Sequence, residues 1–143
     1  MLERNITVAV VDGQGGGIGS AIVDRIKKEN LDINLIALGT NSAATARMIK
    51  SGAAAGATGE NAIVYNVQRA HVVIGVVAIL MANSMMGELS PRMAQAIGES
   101  NALKILIPND RCNIKIAGTQ ENSLQQSIED AVNILKDYLD EIR

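Results

Sequence analysis

The glycines between positions 13 and 19 are the residues of this sequence best suited to binding a ligand. Five glycines stand within these seven positions, directly after an apolar run that predicts a β-strand. Glycine lets backbone N–H groups approach a phosphate closely, and the amides at the start of a following helix attract negative charge. The pattern therefore predicts a turn that binds a phosphate-bearing ligand. The residues expected to contact that ligand are Gly13, Gln14, Gly15, Gly16, Gly17, Ile18 and Gly19.

The spacing of these glycines narrows the choice of ligand. Gly13 is followed four residues later by Gly17-Ile18-Gly19, which resembles the turn of short-chain dehydrogenases, so NAD(P) is the first candidate. No Lys-Ser or Lys-Thr pair follows the glycines, which excludes a Walker A loop. Tyr65 is followed by Arg69 at the position where dehydrogenase chemistry requires lysine. A glycine-rich turn with a purely structural role is the alternative.

Two further stretches are expected to flank the ligand. Thr40 and Asn41 follow the second apolar run and would lie beside the ribose, while Gly75, at the end of the fourth, would let a ligand pass over the sheet. Sites for NAD typically have an Asp or Glu after the second strand to accept the ribose 2′-hydroxyl. Thr40, Asn41 and Ser42 stand there instead, with Arg47 one turn further, which favours NADP over NAD by a small margin.

The acidic residues near the expected site leave an enzymatic function open. Asp12 would repel a neighbouring pyrophosphate unless Mg²⁺ or a ribose hydroxyl lay between them, and it would serve equally well as a cap of the glycine turn. Glu60 and Asp110 are further candidate bases or metal ligands, although capping explains both equally well. Cys112 is interpreted as a small buried apolar residue rather than a nucleophile, and His71 is expected at the opposite end of the sheet.

The chain that must position these residues alternates apolar runs with amphipathic stretches, which is the pattern of strands alternating with helices. We expect strands at 6–11, 33–38, 53–57, 71–75 and 103–107, with a sixth, at the edge, over 113–117. The expected helices begin after the glycines, at Asn41 or Ser42, at Thr58, at Ser90-Pro91 and at Ser123, with a short one over 76–86. Because βαβ connections are right-handed, such strands form a parallel sheet whose carboxyl ends meet at one edge.

Length and composition support that architecture and exclude several function classes. The 143 residues suit one α/β domain, a three-layer Rossmann-like nucleotide-binding domain over 1–143 with a mostly parallel sheet of five to six strands and helices on both faces. Aromatic residues make up 1% and the net charge is −2, which argues against binding nucleic acid. The longest apolar run, over 72–82, is shorter than the roughly 20 residues of a membrane helix. A lone cysteine and a start without a secretory signal favour the cytoplasm.

Five segments of the sequence together resemble a family of small bacterial proteins that occurs mainly in anaerobes and is catalogued only as a domain of unknown function. The segments are VDGQGGGIG over 11–19, LGTN over 38–41, GATGENAI over 56–63, ANSMMGELSP over 82–91 and IPNDRCN over 107–113. The resemblance implies a Rossmann-like fold and a small stand-alone cytoplasmic protein, and it supplies no activity to carry over.

These observations lead to three hypotheses about function. The first is a nucleotide- or dinucleotide-binding protein, with NAD(P) as the first candidate, that acts as a sensor or regulatory module. The second is a small enzyme that uses a carboxylate or a metal at the carboxyl ends of the strands. The third is an interaction protein whose glycine turn holds no ligand. The expected partner is a small-molecule nucleotide rather than nucleic acid or a membrane, and a homo-oligomer is left open.

Overall fold

Strands and helices alternate along the chain in the computed structural model, which describes residues 5–108, 113–119 and 121–143. The strands are β1 (Thr7–Asp12), β2 (Asn34–Gly39), β3 (Ala55–Thr58), β4 (Val72–Val76) and β5 (Leu103–Ile107). The helices are α1 (Gly17–Lys28), α2 (Ser42–Lys50), α3 (Glu60–Val67), α4 (Pro91–Glu99) and α5 (Leu124–Ile142), and a short 3₁₀ helix covers Val77–Leu80.

The five strands form one parallel sheet in the order β3-β2-β1-β4-β5. β1 lies at the centre, where Asp12 pairs with Gly39 of β2 and Val10 pairs with Ile74 of β4. The chain adds strands on one side of β1 first and then on the other, so the direction of winding reverses between β1 and β4. A crevice opens beyond the carboxyl ends of the strands at such a reversal, and Rossmann-like sheets bind their ligands there. The expected α/β fold is confirmed.

Helices cover both faces of the sheet, which makes three layers. α1, α2 and α5 pack on one face, where Ile22, Met48 and Leu135 are completely buried. α3 and α4 pack on the other face through Ile63 and Ile97. Because both faces are covered, β1 and β4 are runs dominated by buried aliphatic residues. None of the helices in the described ranges combines the length and the apolarity that crossing a membrane requires.

Side-chain caps begin three of the helices where the sequence predicts them. Asn41, Ser90 and Ser123 each accept a hydrogen bond from a backbone N–H in the first turn of α2, α4 and α5 respectively. The expected cap of α3 is wrong, because Thr58 belongs to β3 and Gly59 takes the N-cap position with a φ of 99°. Threonine would adopt that backbone conformation only at an energetic cost, whereas glycine adopts it freely.

The expected sixth strand over 113–117 is wrong. Residues 113–119 contain one bend and one turn but no strand, and Ile116 is 41% exposed. A strand needs a neighbour with which to exchange hydrogen bonds and a surface against which to pack. Within the described residues β5 pairs only with β4, so this segment has no partner strand.

The expected short helix over 76–86 is found only in part. Val77–Leu80 form the 3₁₀ helix, and the chain then turns repeatedly up to α4. Asn83, Met85 and Met86 have positive φ angles, which no right-handed helix contains. Residues 81–86 are exposed or half-buried and include the polar Asn83 and Ser84. The apolar run before them lacks the periodicity that would have shown where the helix ends.

Candidate functional site

The glycine turn lies between β1 and α1, at the carboxyl edge of the sheet and beside the crevice. Gly16 adopts a φ of 72° at the N-cap of α1, and its N–H donates to the Gly13 carbonyl oxygen over 2.9 Å. Gln14 also has a positive φ, of 50°. These two left-handed residues bend the chain sharply from the strand into the helix.

Packing or backbone conformation explains three of the five glycines in the turn. A Cβ on Gly13 would lie 2.4 Å from Thr40 Oγ1, and one on Gly19 would lie 2.6 Å from a methionine sulfur of α2. Gly16 combines its positive φ with a second restriction, since a Cβ there would lie 2.8 Å from the backbone of α2. These glycines let α1 and the turn approach their neighbours closely, whether or not a ligand binds.

Neither reason applies to Gly15 and Gly17. Both lie outside the left-handed region, and the nearest atoms to a Cβ on Gly17 all belong to the Arg47 guanidinium, the first at 3.4 Å. The same guanidinium lies 4.0 Å from a Cβ on Gly15. Among the described residues, no atom accepts a hydrogen bond from the amides of Gly15, Gly17 or Ile18. Two glycines that the fold does not require therefore stand among three donors without a protein acceptor.

Arg47 adds a positive charge to this part of the turn. Its Nη1 donates to the Gly15 carbonyl oxygen over 3.3 Å from the exposed side of α2. A guanidinium stays charged in proteins and pairs with two phosphate oxygens at once. Together with the N-terminus of α1, this side chain makes the turn attractive to an anion.

Asp12 is the last residue of β1, and its carboxylate is buried under the turn. Its Oδ1 accepts from the N–H of Gly13 over 2.8 Å, and its Oδ2 accepts from the N–H of Gly19 over 2.7 Å. Burial raises the pKa of the Asp12 carboxyl above its usual range, and these two hydrogen bonds counteract only part of that effect. Asp12 therefore caps the glycine turn, which is one of the two roles that the sequence allowed.

Glu88 is the site residue that sequence reasoning did not single out. It comes from the segment between β4 and α4, and its Oε1 accepts hydrogen bonds from Thr40 Oγ1 at 2.7 Å, Gln14 N at 2.8 Å and Asn41 Nδ2 at 2.8 Å. The bond from Thr40 contributes most to holding the pKa of Glu88 below its usual value, followed by the bond from Gln14. The only indication of Glu88 in the sequence is that it lies within 82–91, one of the five segments that resemble the family.

The segment that carries Glu88, which we call the β4–α4 loop, spans residues 81–90. Left-handed backbone at Asn83, Met85, Met86 and Gly87 folds it into successive turns. The Met85 sulfur would lie 2.7 Å from a Cβ on Gly13, so the loop packs directly against the glycine turn. Met86 at its tip is 96% exposed. The loop thus extends from the turn to the surface of the protein.

The structure brings Thr40 and Asn41 to the glycine turn and leaves Gly75 inside the sheet. The side chains of Thr40 and Asn41 both donate to Glu88 Oε1, which also accepts from the turn. Asn41 Nδ2 also donates directly to the Gln14 carbonyl oxygen over 2.9 Å. A Cβ on Gly75 would lie 2.8 Å from a carbonyl oxygen of β1. Close packing between strands explains this glycine without a ligand, and its role in letting a ligand cross the sheet stays a prediction.

A cavity of about 580 Å³ lies next to the turn, at the carboxyl ends of β4 and β5. Ile18, Val76, Ile107 and Leu124 supply apolar parts of its wall, and Lys115 lies at the same cavity. The volume falls within the range of roughly 300–1,000 Å³ that small-molecule sites occupy. Because Ile18, the second residue of α1, lines the cavity, the cavity borders the N-terminus of α1.

The remaining candidates for chemistry lie apart from the turn or outside the described residues. Glu60 Oε2 accepts from Ser90 Oγ over 2.6 Å, which ties the start of α3 to the start of α4. His71 Nδ1 accepts from the first amide of β1 over 3.0 Å, at the amino end of the sheet. Asp110 and Cys112 fall outside the described ranges. Within those ranges, no three His, Cys, Asp or Glu side chains form a group that could hold a metal.

Comparison with known proteins places this chain in a family. A crystal structure of a universal stress protein in complex with cAMP is similar over 68% of this chain and 94% of that chain, with 19% sequence identity and a TM-score of 0.39. A likeness of that extent says nothing about what this chain binds. No curated protein matches the sequence. Residues 7–140 match the family described as Domain of unknown function (DUF3842), and the chain therefore belongs to that family.

Proposed function

We propose that this protein binds a nucleotide through its phosphates at the glycine turn, with the dinucleotides NAD(H) and NADP(H) as first candidates. The observation that carries the proposal is the pair Gly15 and Gly17. Neither packing nor φ requires glycine at these positions, and both stand beside amides without an acceptor among the described residues. A ligand that lies close to the backbone would explain why both positions are glycine, because a side chain there would block its approach.

The phosphates would bind at the N-terminus of α1. The N–H groups of Gly15, Gly17 and Ile18 supply the donors, and the partial positive charge of the helix end adds to their attraction. Arg47 already contacts this part of the turn, and its guanidinium would exchange the Gly15 carbonyl for a phosphate oxygen. Backbone and side-chain donors from two neighbouring elements thus converge on one anion.

The adjoining cavity supports a ligand longer than a mononucleotide. Ile18 belongs both to the phosphate site and to the wall of the 580 Å³ cavity. A ligand with its phosphates on the turn would therefore extend towards β4 and β5 in one direction and towards Thr40 in the other. Dinucleotides lie across the reversal point of Rossmann-like sheets in this way.

A sensor or regulatory role suits the residues around the turn better than catalysis does. Both oxygens of Asp12 and the Oε1 of Glu88 already accept hydrogen bonds from the turn. A general base must reach the proton that it removes, and Asp12 is covered by the turn itself. The β4–α4 loop, which contacts the turn and has exposed Met86 at its tip, provides a route by which bound ligand would alter the surface.

The proposal is tested by a thermal-shift screen with NAD, NADP, ATP, ADP and coenzyme A. A ligand that binds only the native state stabilises it by about 2.7 kcal/mol at a hundredfold excess over its Kd. For a chain of this size, that corresponds to a rise in Tm of about 5–10 °C. We expect a rise with at least one dinucleotide. A flat response to all five compounds at millimolar concentration would leave only a structural role for the turn.

A further inference from the structure

We propose that Glu88 reads the ribose of the bound nucleotide and selects a free 2′-hydroxyl, so that the site takes NAD(H) in preference to NADP(H). This inference rests on the proposed function, because it concerns the same glycine turn. It also reverses the small preference for NADP that the sequence suggested from the missing acid after β2.

The position of the Glu88 carboxylate is the first argument. In Rossmann-like sites the acid that accepts from the ribose hydroxyls follows the second strand. Here β2 is followed by Thr40 and Asn41, and both donate to Glu88 Oε1. Glu88, which comes from the other side of the crevice, is therefore held beside Thr40 and Asn41. These two residues occupy the positions where such an acid normally lies.

The distribution of hydrogen bonds over the carboxylate is the second argument. The bonds from Gln14, Thr40 and Asn41 all end on Oε1, at 2.7–2.8 Å. Among the described residues, no side-chain or backbone donor bonds to Oε2. An ionised carboxylate has about four acceptor positions, so Oε2 can accept from a ribose hydroxyl while Oε1 keeps its three donors.

The negative charge of Glu88 distinguishes NAD(H) from NADP(H). The three donors stabilise the ionised form of Glu88 and hold its pKa below the ordinary value, so the side chain is negative at neutral pH. A 2′-phosphate brings a charge of roughly −1.5 to −2 to the same place, and like charges at contact distance repel strongly. A 2′-hydroxyl instead donates a hydrogen bond to the carboxylate.

The loop that carries Glu88 is held in place before any ligand binds. Leu89, the next residue, is completely buried, and its N–H donates to the Ser84 carbonyl oxygen over 3.2 Å. Asn83 N–H donates back to the Leu89 carbonyl oxygen over 2.8 Å. A recognition group fixed in this way loses little conformational freedom on binding, which sharpens its selectivity.

The test measures the affinities of NAD⁺ and NADP⁺ by calorimetry for the wild-type protein, Glu88→Gln and the control Glu99→Gln. Glutamine keeps an Oε1 acceptor for the three donors while removing the charge, so the loop stays in place. Glu99 is an exposed glutamate on α4 whose carboxylate bonds only to Gln95 among the described residues. We expect the wild type and the control to prefer NAD⁺ about tenfold or more, and Glu88→Gln to lose that preference.

Each alternative outcome has a separate meaning. An equal gain in affinity for both dinucleotides in Glu88→Gln would overturn the inference and show that the carboxylate merely obstructs the turn. An unchanged ratio, or a wild type that prefers NADP⁺, would overturn it as well. If neither the wild type nor Glu88→Gln binds either dinucleotide, the inference fails, whereas the proposed function fails only if ATP, ADP and coenzyme A also give no thermal shift. Circular dichroism of both variants confirms that the comparison is between folded proteins.

Discussion

The five glycines of the turn are chemically identical, yet the structure separates them into two groups. Gly13, Gly16 and Gly19 allow the chain to pass close to α2 and to the residues that follow β2. Gly15 and Gly17 face only the guanidinium of Arg47, so a side chain at either position would displace a charged group rather than the core. The distinction allows the ligand-binding role of the turn to be tested without unfolding the protein.

Gly17→Val is expected to abolish nucleotide binding and leave the fold intact, because the added methyl groups would fill the space that a phosphate needs. The matched control is Gly98→Val, since Gly98 also lies in a helix and a Cβ there has no atom of another part of the protein within 4 Å. Thermal shifts with the best nucleotide and circular-dichroism spectra are measured for both variants. Retained binding in Gly17→Val would contradict the phosphate site, and loss of its fold would show that the glycine serves packing.

At the scale of elements, the β4–α4 loop connects the carboxyl end of β4 with those of β1 and β2, which come much earlier in the chain. It begins after β4 and reaches the residues that follow β1 and β2, on the other side of the crevice. Met85 packs at Gly13, and Glu88 binds Gln14 and Thr40. The conformation has a cost, because methionine in the left-handed region is disfavoured by roughly 1–2 kcal/mol relative to the right-handed one.

Met86→Gly is expected to raise the free energy of unfolding by about 0.5–1 kcal/mol. Met86 has a φ of 58° and its side chain is 96% exposed, so glycine relieves the backbone strain and removes almost no packing. Met86→Ala is the control, since alanine removes the same side chain and keeps the strain. Urea denaturation of the two variants measures the difference. If Met86→Gly is less stable than Met86→Ala by about 0.4–1 kcal/mol, which is the entropic cost of glycine in the unfolded chain, the left-handed conformation at this position carries no strain.

At the scale of the whole molecule, the sheet is well covered in the middle and poorly covered at one edge. Every residue of β4 is buried, as are all residues of β1 except the first, whereas three of the four residues of β3 are exposed. Local opening requires less energy where little apolar surface is buried and the backbone hydrogen bonds are open to water. The stability of the molecule is therefore unevenly distributed across the sheet.

Hydrogen exchange followed by mass spectrometry should reveal this gradient. We expect the amides of β1 and β4 to exchange slowest, near the rate set by global unfolding, and those of β3 to exchange much faster. Adding the nucleotide that gives the largest thermal shift should slow exchange at 13–19 and in the β4–α4 loop. Protection confined to β3 would place the ligand elsewhere.

Local patterns in the sequence were sufficient for most of the sheet and for the glycine turn. The β-branched run before Asp12 and the glycines after it predicted a strand, a tight turn and a helix N-terminus, because each depends on residues close together in the chain. Asn41 and Ser90 predicted helix starts for the same reason. Alternation of these units was enough to indicate a parallel sheet of Rossmann type, which the strand order confirms.

Only the tertiary structure decided which groups meet at the turn. Gln14 and Glu88 are 74 positions apart, and no local pattern reports a contact over that separation. The need for glycine at position 75 also depends on a residue far away in the chain, since a Cβ there would lie too close to a carbonyl oxygen of β1. The segment 113–117 alternates like a strand, but whether it pairs depends on a neighbour that its own residues do not specify. Side-chain types set what each residue can do, and packing over long sequence separations determined which of them act together.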